Sequence, residues 1–272
     1  MQHFSTSPKE MCASLWRNRA LIQAMIKREV VGRYRGSFIG ILWSFFNPLF
    51  MLTVYTFVFS VVFKARWNAG SDSKTEFALI LFAGLIVFNL FGECINRAPS
   101  LILSNVNYVK KVVFPLEILP WVSLGASAFH AIISLVVWLI AYSILFGIPH
   151  ISALLLPLFL MPLILFTAGL SWILASLGVY LRDVSQFIGV IVTVLMFVSP
   201  IFYPASALPE KYQTVMLLNP LTPAIENARA VLFFGTIPDI TILSVYYAGA
   251  ALTAWVGFVW FQKTRKGFAD VL

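Results

Sequence analysis

Runs of apolar residues about as long as a bilayer is thick constrain this chain more than any other feature in it. A helix rises ~1.5 Å per residue and the hydrocarbon layer is ~30 Å deep, so about 20 apolar residues suffice to cross. The stretches 38–63, 77–95, 118–146, 153–181, 187–203 and 242–261 approach or exceed that length with few charges. A soluble fold has no interior for so many: 60% of the 272 residues are apolar and 11% charged, against the ~25% charged that covers a globular surface. The sequence therefore predicts an all-α membrane protein with six transmembrane helices, residues 1–272 forming one domain. Asn47-Pro48 lies mid-way along the first run, where proline removes a backbone hydrogen bond and kinks a helix.

Two segments are helical without being able to span. In 12–33, Leu15, Ile22, Met25, Ile26 and Val30 recur at the helical period opposite Arg17, Lys27 and Arg28, with Arg19 and Glu29 interrupting the stripe. Cations cost about 3 kcal/mol each at the bilayer centre, so this segment predicts an amphipathic helix lying in the interface. In 204–235, two short apolar pieces, 212–218 and 224–234, are separated by Asn219-Pro220 and Thr222-Pro223. Thr222 suits a helix cap with Pro223 first in the helix, and Gly235 suits the position past its end. That pattern predicts a re-entrant pair of helices at the outer face, between spans five and six; a surface loop is the alternative.

The net charge of +8 orients the chain rather than recruiting nucleic acid. Lys9, Arg17, Arg19, Lys27, Arg28, Arg33, Arg35, Arg97, Lys110, Lys111, Arg182, Lys263, Arg265 and Lys266 fall on one side of the spans. Lys64, Arg66, Lys74, Lys211 and Arg229 fall on the other. The asymmetry predicts both termini in the cytoplasm. Cys12 and Cys94 form no disulfide framework, His3, His130 and His150 follow no metal-ligand spacing, and no phosphate-binding glycine loop is present. No catalytic residue, metal or cofactor is expected in this chain. His130 lies inside the third span, where an ionisable group marks function by default; a neutral imidazole bonded to a nearby serine or carbonyl is the structural alternative. Glu93 and Arg97, four apart, are expected to pair along their own helix, and Arg182-Asp183 reads similarly. Trp43, Phe46, Tyr55, Phe59 and Phe63 in the first span and Phe197, Phe202 and Tyr203 in the fifth either face lipid or stack on sugar rings.

Several motifs, in order along the chain, carry a resemblance. They are Lys27-Arg28-Glu29-Val30, Arg33-Tyr34-Arg35-Gly36-Ser37, Gly40-Ile41-Leu42-Trp43 and Asn47-Pro48, then Asn107-Tyr108-Val109-Lys110-Lys111-Val112-Val113-Phe114-Pro115. Gly178-Val179-Tyr180-Leu181-Arg182-Asp183-Val184, Ser199-Pro200-Ile201-Phe202-Tyr203-Pro204, Leu218-Asn219-Pro220 and Lys266-Gly267-Phe268-Ala269-Asp270 complete the set. Together they resemble the polysaccharide-exporting ABC-2 permeases, the transmembrane subunits that export O-antigen, capsule and teichoic acid. The resemblance implies a homodimer pairing with two copies of a cytoplasmic ABC ATPase, which holds the ATP and magnesium. It also implies export of an undecaprenyl diphosphate-linked polysaccharide, O-antigen foremost, across the bacterial inner membrane. On this basis 99–113 is the coupling loop, with Ser100, Asn105, Tyr108, Lys110, Lys111, Arg182 and Asp183 facing the ATPase, and 204–235 is the outer gate. The aromatic residues above line the channel. Arg28, Arg33 and Arg35 meet the diphosphate at the entrance, with anionic lipid headgroups as competing partners. An ABC-2 exporter of a small lipid or drug is the alternative, and a polyprenyl-linked membrane transferase a more distant one.

Overall fold

The computed structural model describes residues 5–62, 67, 74–110, 114–216 and 218–272, and every regular element among these is helical. Phe63 and Lys111, named above as channel and coupling residues, lie outside the described residues, as do Lys64 and Arg66.

Helix α1 (Pro8–Arg17) begins at Ser7, whose hydroxyl accepts the Glu10 N–H, with Pro8 in the first helical position. Helix α2 (Arg19–Arg33) follows directly. The single helix expected at 12–33 is thus two helices with an earlier start. The break falls at Asn18, whose Nδ2 donates to the Ser14 carbonyl at 2.8 Å and draws the backbone to φ −98°, ψ 12°. Helix α2 lies against the bundle: a Cβ on Gly125 would stand 2.1 Å from Ile26 Cδ1, so glycine there admits the isoleucine.

A 3-10 turn, Gly40–Leu42, leads into α3 (Trp43–Tyr55), which contains Pro48 and widens into a π-helical stretch, Thr56–Val62. Next come α4 (Lys74–Arg97), α5 (Val106–Lys110), α6 (Leu119–Phe146) and α7 (Leu156–Tyr180). Five stretches are long and apolar enough to cross a membrane: Gly40–Phe59, Thr75–Ser100, Leu116–Phe146, Ile151–Tyr180 and Ile240–Val271. The expected fifth span, 187–203, is instead α8 (Val184–Val198), whose 15 residues extend ~22 Å and fall short of a ~30 Å hydrocarbon layer. Ser199 is extended because Pro200 follows it, and the helix ends there.

Helix α4 is the axis of the domain. Its apolar window is 89% buried, against 17% for those of α3 and α6. On one flank α7 meets α11 (Ile240–Thr264) closely enough that a Cβ on Gly257 would stand 2.1 Å from the Gly169 carbonyl oxygen, the small-residue packing of membrane helices.

The two ends of the bundle differ in chemistry. At the basic end, Glu117 accepts from Arg265 Nη1 at 2.7 Å and from Ser14 Oγ at 3.0 Å, while its carbonyl accepts the Trp172 indole N–H at 2.9 Å. These bonds bind α1, the start of α6, α7 and the C-terminal segment together. At the opposite end sit α9 (Glu210–Met216) and α10 (Leu221–Arg229), the latter continuing as a π turn, Ala230–Phe234. Gly235 closes it in the left-handed region at φ 69°, as the sequence predicts. Helix α10 starts earlier than expected, because Asn219 Oδ1 accepts the Leu221 N–H at 3.0 Å and Thr222 falls inside the first turn.

Candidate functional site

Three polar stripes interrupt the apolar surfaces of the spanning helices, and the fold brings them together. On α4, Asn89, Glu93 and Asn96 occupy positions i, i+4 and i+7, which share one face of a helix. Asn89 and Asn96 are exposed on a helix otherwise almost wholly buried. On α6, Ser127, His130 and Ser134 form a second such stripe, and α3 supplies Ser44 and Asn47. With Arg33 and Tyr34 from the end of α2, these side chains line a cavity of about 390 Å³ in the half of the bundle nearer the basic end.

The charges on and beside this cavity are paired across helices. Arg33 donates to Glu93, and Arg97 pairs with Glu29. The expected Glu93–Arg97 pair along α4 does not form, because α2 lies alongside and offers each of them an opposite charge. The Tyr34 hydroxyl lies 3.4 Å from His130 Nδ1, with the rings edge-on at 5.9 Å. Burial holds that hydroxyl above the usual tyrosine pKa, so it stays protonated. Ser134 Oγ donates to the His130 carbonyl at 2.9 Å. Ser127 Oγ is buried and has no hydrogen-bond partner among the described residues.

A second cavity, of about 500 Å³, is lined by Arg28, Val31, Gly32, Tyr34, Arg35, Gly40 and Ile41. Gly36 at φ 84° and Gly40 at φ 59° turn the chain between α2 and α3 through conformations open to glycine, which shapes this hollow. Arg28 Nη1 donates to the Tyr108 hydroxyl at 2.9 Å, and Tyr108 stacks on Phe114 at 4.4 Å. Arg35 is exposed and has no ion pair among the described residues. The three arginines expected at the entrance are therefore divided: Arg33 lines the first cavity, Arg28 and Arg35 the second, and Tyr34 borders both.

The aromatic residues also separate into groups. Phe59 stacks on Phe202 at 6.0 Å and Phe202 on Phe197 at 5.7 Å, so rings from the first and fifth predicted spans meet toward the opposite end. The Tyr203 hydroxyl donates to the Phe197 carbonyl at 3.1 Å. Phe46 stacks on Phe50 at 6.0 Å nearer the basic end, where Trp43 is exposed, and Tyr55 is partly buried between the two groups.

The family model for ABC-2 type transporters matches residues 20–233, from the start of α2 to the π turn after α10. The chain belongs to the ABC-2 type transporter family. The chain is 28% identical to the O-antigen export system permease protein RfbA of Myxococcus xanthus, over 94% of this chain and 96% of that protein. Against the RfbA of Klebsiella pneumoniae the identity is 27%, over 93% and 95% of the two chains. The polysialic acid transport protein KpsM of Escherichia coli is 24% identical, over 91% and 94%.

In this ABC-2 domain the expected coupling residues lie at the basic end. Ser100, Lys110, Arg182 and Asp183 are exposed there, Asn105 caps the Leu101 carbonyl at 2.8 Å, and Lys110 reaches the carbonyl of Leu272. The turn at Ala98–Ser100 rests on the end of α7, where a Cβ on Gly178 would stand 2.0 Å from the Pro99 oxygen. Arg182 and Asp183 form no ion pair among the described residues.

One functional group escaped the sequence reading, which placed Arg229 among the outer-loop cations. Arg229 is fully buried. Its Nε donates to the Ile80 carbonyl at 3.1 Å, its Nη1 to Pro200 and its Nη2 to Ile201 at 2.7 Å, while the guanidinium lies 4.4 Å from the Trp67 ring. It fastens α10 of the ABC-2 domain to α4 and to the segment that ends α8. The available signal was its setting, Ala228-Arg229-Ala230-Val231-Leu232, in which a cation stands among small and apolar residues.

Proposed function

We propose that this chain is the permease subunit of an ATP-driven exporter that moves an undecaprenyl diphosphate-linked polysaccharide, with O-antigen as the favoured cargo, across the bacterial inner membrane. The observation that carries this reading is similarity over nearly the full length of both chains to O-antigen export permeases. Two copies of the chain form the channel, and two copies of a cytoplasmic ABC ATPase supply ATP and magnesium. Both termini lie in the cytoplasm, and α8 serves as the short fifth of six crossings.

The geometry supports a division of labour. Ser100, Asn105, Tyr108, Lys110, Arg182 and Asp183 receive the ATPase stroke at the basic end, and Lys111 acts with them. Arg28 also binds Tyr108, so a push on α5 is felt at the entrance cavity. Arg28 and Arg35 attract the diphosphate there through charge-assisted hydrogen bonds. Arg33 contributes less to that attraction because Glu93 neutralises it. Trp43, Phe46, Tyr55, Phe59, Phe63, Phe197, Phe202 and Tyr203 offer weak, repeated stacking to the passing polymer, and α9 and α10 form the re-entrant outer gate.

Deletion of the gene followed by complementation tests the reading. Surface polysaccharide is expected to disappear while lipid-linked polymer accumulates in the cell, and plasmid-borne wild-type chain is expected to reverse both. Unchanged surface polysaccharide in the deletion strain would overturn it.

A further inference from the structure

We propose that the cavity between α2, α3, α4 and α6 binds an uncharged, hydroxyl-rich ring, the sugar nearest the diphosphate, while the diphosphate itself stays in the neighbouring cavity. The proposal rests on the polysaccharide-export reading and adds to it which group of the substrate each hollow takes.

The donors and acceptors of the amide-lined cavity choose between the two chemistries. Asn47, Asn89 and Asn96 present amides, each offering both an acceptor oxygen and a donor NH₂. Sugar hydroxyls likewise donate and accept, so amides match them in any rotamer. A phosphate needs cations, and the one guanidinium lining this cavity, Arg33, is already spent on Glu93. The Glu93 carboxylate on the same wall repels a second anion but accepts from a hydroxyl. Ser127, 1% exposed, lines the hollow, and its buried Oγ has no hydrogen-bond partner among the described residues. Such a group is costly to leave unmet and calls for a ligand or water.

Position agrees with chemistry. Arg28 and Arg35, the cations that remain accessible, line the adjoining cavity, and Tyr34 stands between the two hollows. A carrier with its diphosphate against Arg28 and Arg35 places its first sugar past Tyr34, into the amide-lined space. The volume of about 390 Å³ lies in the range of small-ligand sites, ~300–1,000 Å³. Intramembrane polar and ionisable side chains gathered on one cavity mark a substrate pathway. Because the wall is neutral overall, binding there holds a sugar without arresting the polymer behind it.

The test uses the purified full-length chain in phosphatidylethanolamine–phosphatidylglycerol nanodiscs with two probes: undecaprenyl diphosphate, and the same carrier bearing a short neutral oligosaccharide. Wild type is expected to bind the glycosylated carrier about tenfold more tightly, the effect of one or two added hydrogen bonds. Asn89→Leu and Ser127→Ala are expected to shrink that ratio toward unity and to leave the bare-carrier affinity unchanged. Arg35→Gln is expected to weaken both probes alike and preserve the ratio. Ser127→Ala removes a single oxygen, so it reports even where Asn89→Leu fails to fold. Equal binding of the two probes by wild type, or a ratio that neither variant alters, would overturn the proposal. Loss of surface polysaccharide on gene deletion together with no sugar preference keeps the export reading and sinks this site. Unchanged polysaccharide sinks both.

Discussion

Replacing Arg229 with methionine removes a side chain that joins α10, α4 and the end of α8. Three carbonyls, of Ile80, Pro200 and Ile201, lose a charged donor. Hydrogen bonds from charged groups contribute about 1.5–3 kcal/mol each, which sums to a gross loss of about 4.5–9 kcal/mol. Against this, the variant no longer buries a cation, whose residual desolvation penalty is several kcal/mol. Glu226, 3.5 Å away and partly exposed, loses its ion pair but turns toward solvent at little cost. The net expectation is a destabilisation of about 2–4 kcal/mol, in the range seen on breaking buried charged networks. Thermal unfolding of the purified chain in detergent, followed by tryptophan fluorescence, measures it. Limited proteolysis localises it, because α10 and the segment after α8 are expected to loosen first. Arg229→Lys keeps the charge but reaches fewer of the carbonyls and is expected to fall between. A methionine variant within about 0.5 kcal/mol of wild type, with an unchanged proteolytic pattern, would refute the assignment of Arg229 as the clasp.

Three further outcomes follow from the same geometry. Glu93→Arg places a third cation beside Arg33 and Arg97 and is expected to lower both stability and export; adding Arg33→Glu restores them, with a coupling of about 0.5–3 kcal/mol in a double-mutant cycle. Gly257→Val drives a side chain into the Gly169 carbonyl, backbone that cannot yield, and is expected to cost more than about 2 kcal/mol and reduce assembled protein, whereas the same change at Gly249, which faces open space, is near neutral. Replacing Tyr55, Phe59 and Phe202 together by alanine is expected to reduce surface polysaccharide at normal membrane levels; normal export in that variant would remove the stacking role.

Features set by local pattern were legible before the structure. The apolar runs that became α3, α4, α6, α7 and α11 announce themselves by length, and Gly235 marked the end of α10 because only a left-handed residue fits there. Features set by neighbours were not. Glu93 and Arg97 satisfy the i,i+4 rule on paper, yet each finds a partner on α2, which no spacing along α4 reveals. The end of α8 depended on Ser199-Pro200, a signal present in the sequence but outweighed by the apolar residues that continue past it. The polar cavity was half legible. Asn89, Glu93 and Asn96 repeat at helical intervals, as do Ser127, His130 and Ser134, but their convergence required the packing of α4 against α6. Arg229 looked like a loop cation because its acceptors are backbone carbonyls, which carry no sequence mark.

Reconstitution addresses the export claim most directly. The chain and its ATPase partner are placed in proteoliposomes with a fluorescent undecaprenyl diphosphate-linked glycan on the ATPase side, and a glycosidase added to that side reports what stays accessible. ATP is expected to protect the glycan from digestion as it crosses, and that protection is expected to vanish without this chain. Glycan that remains fully accessible with ATP, or becomes protected equally without the chain, would contradict it.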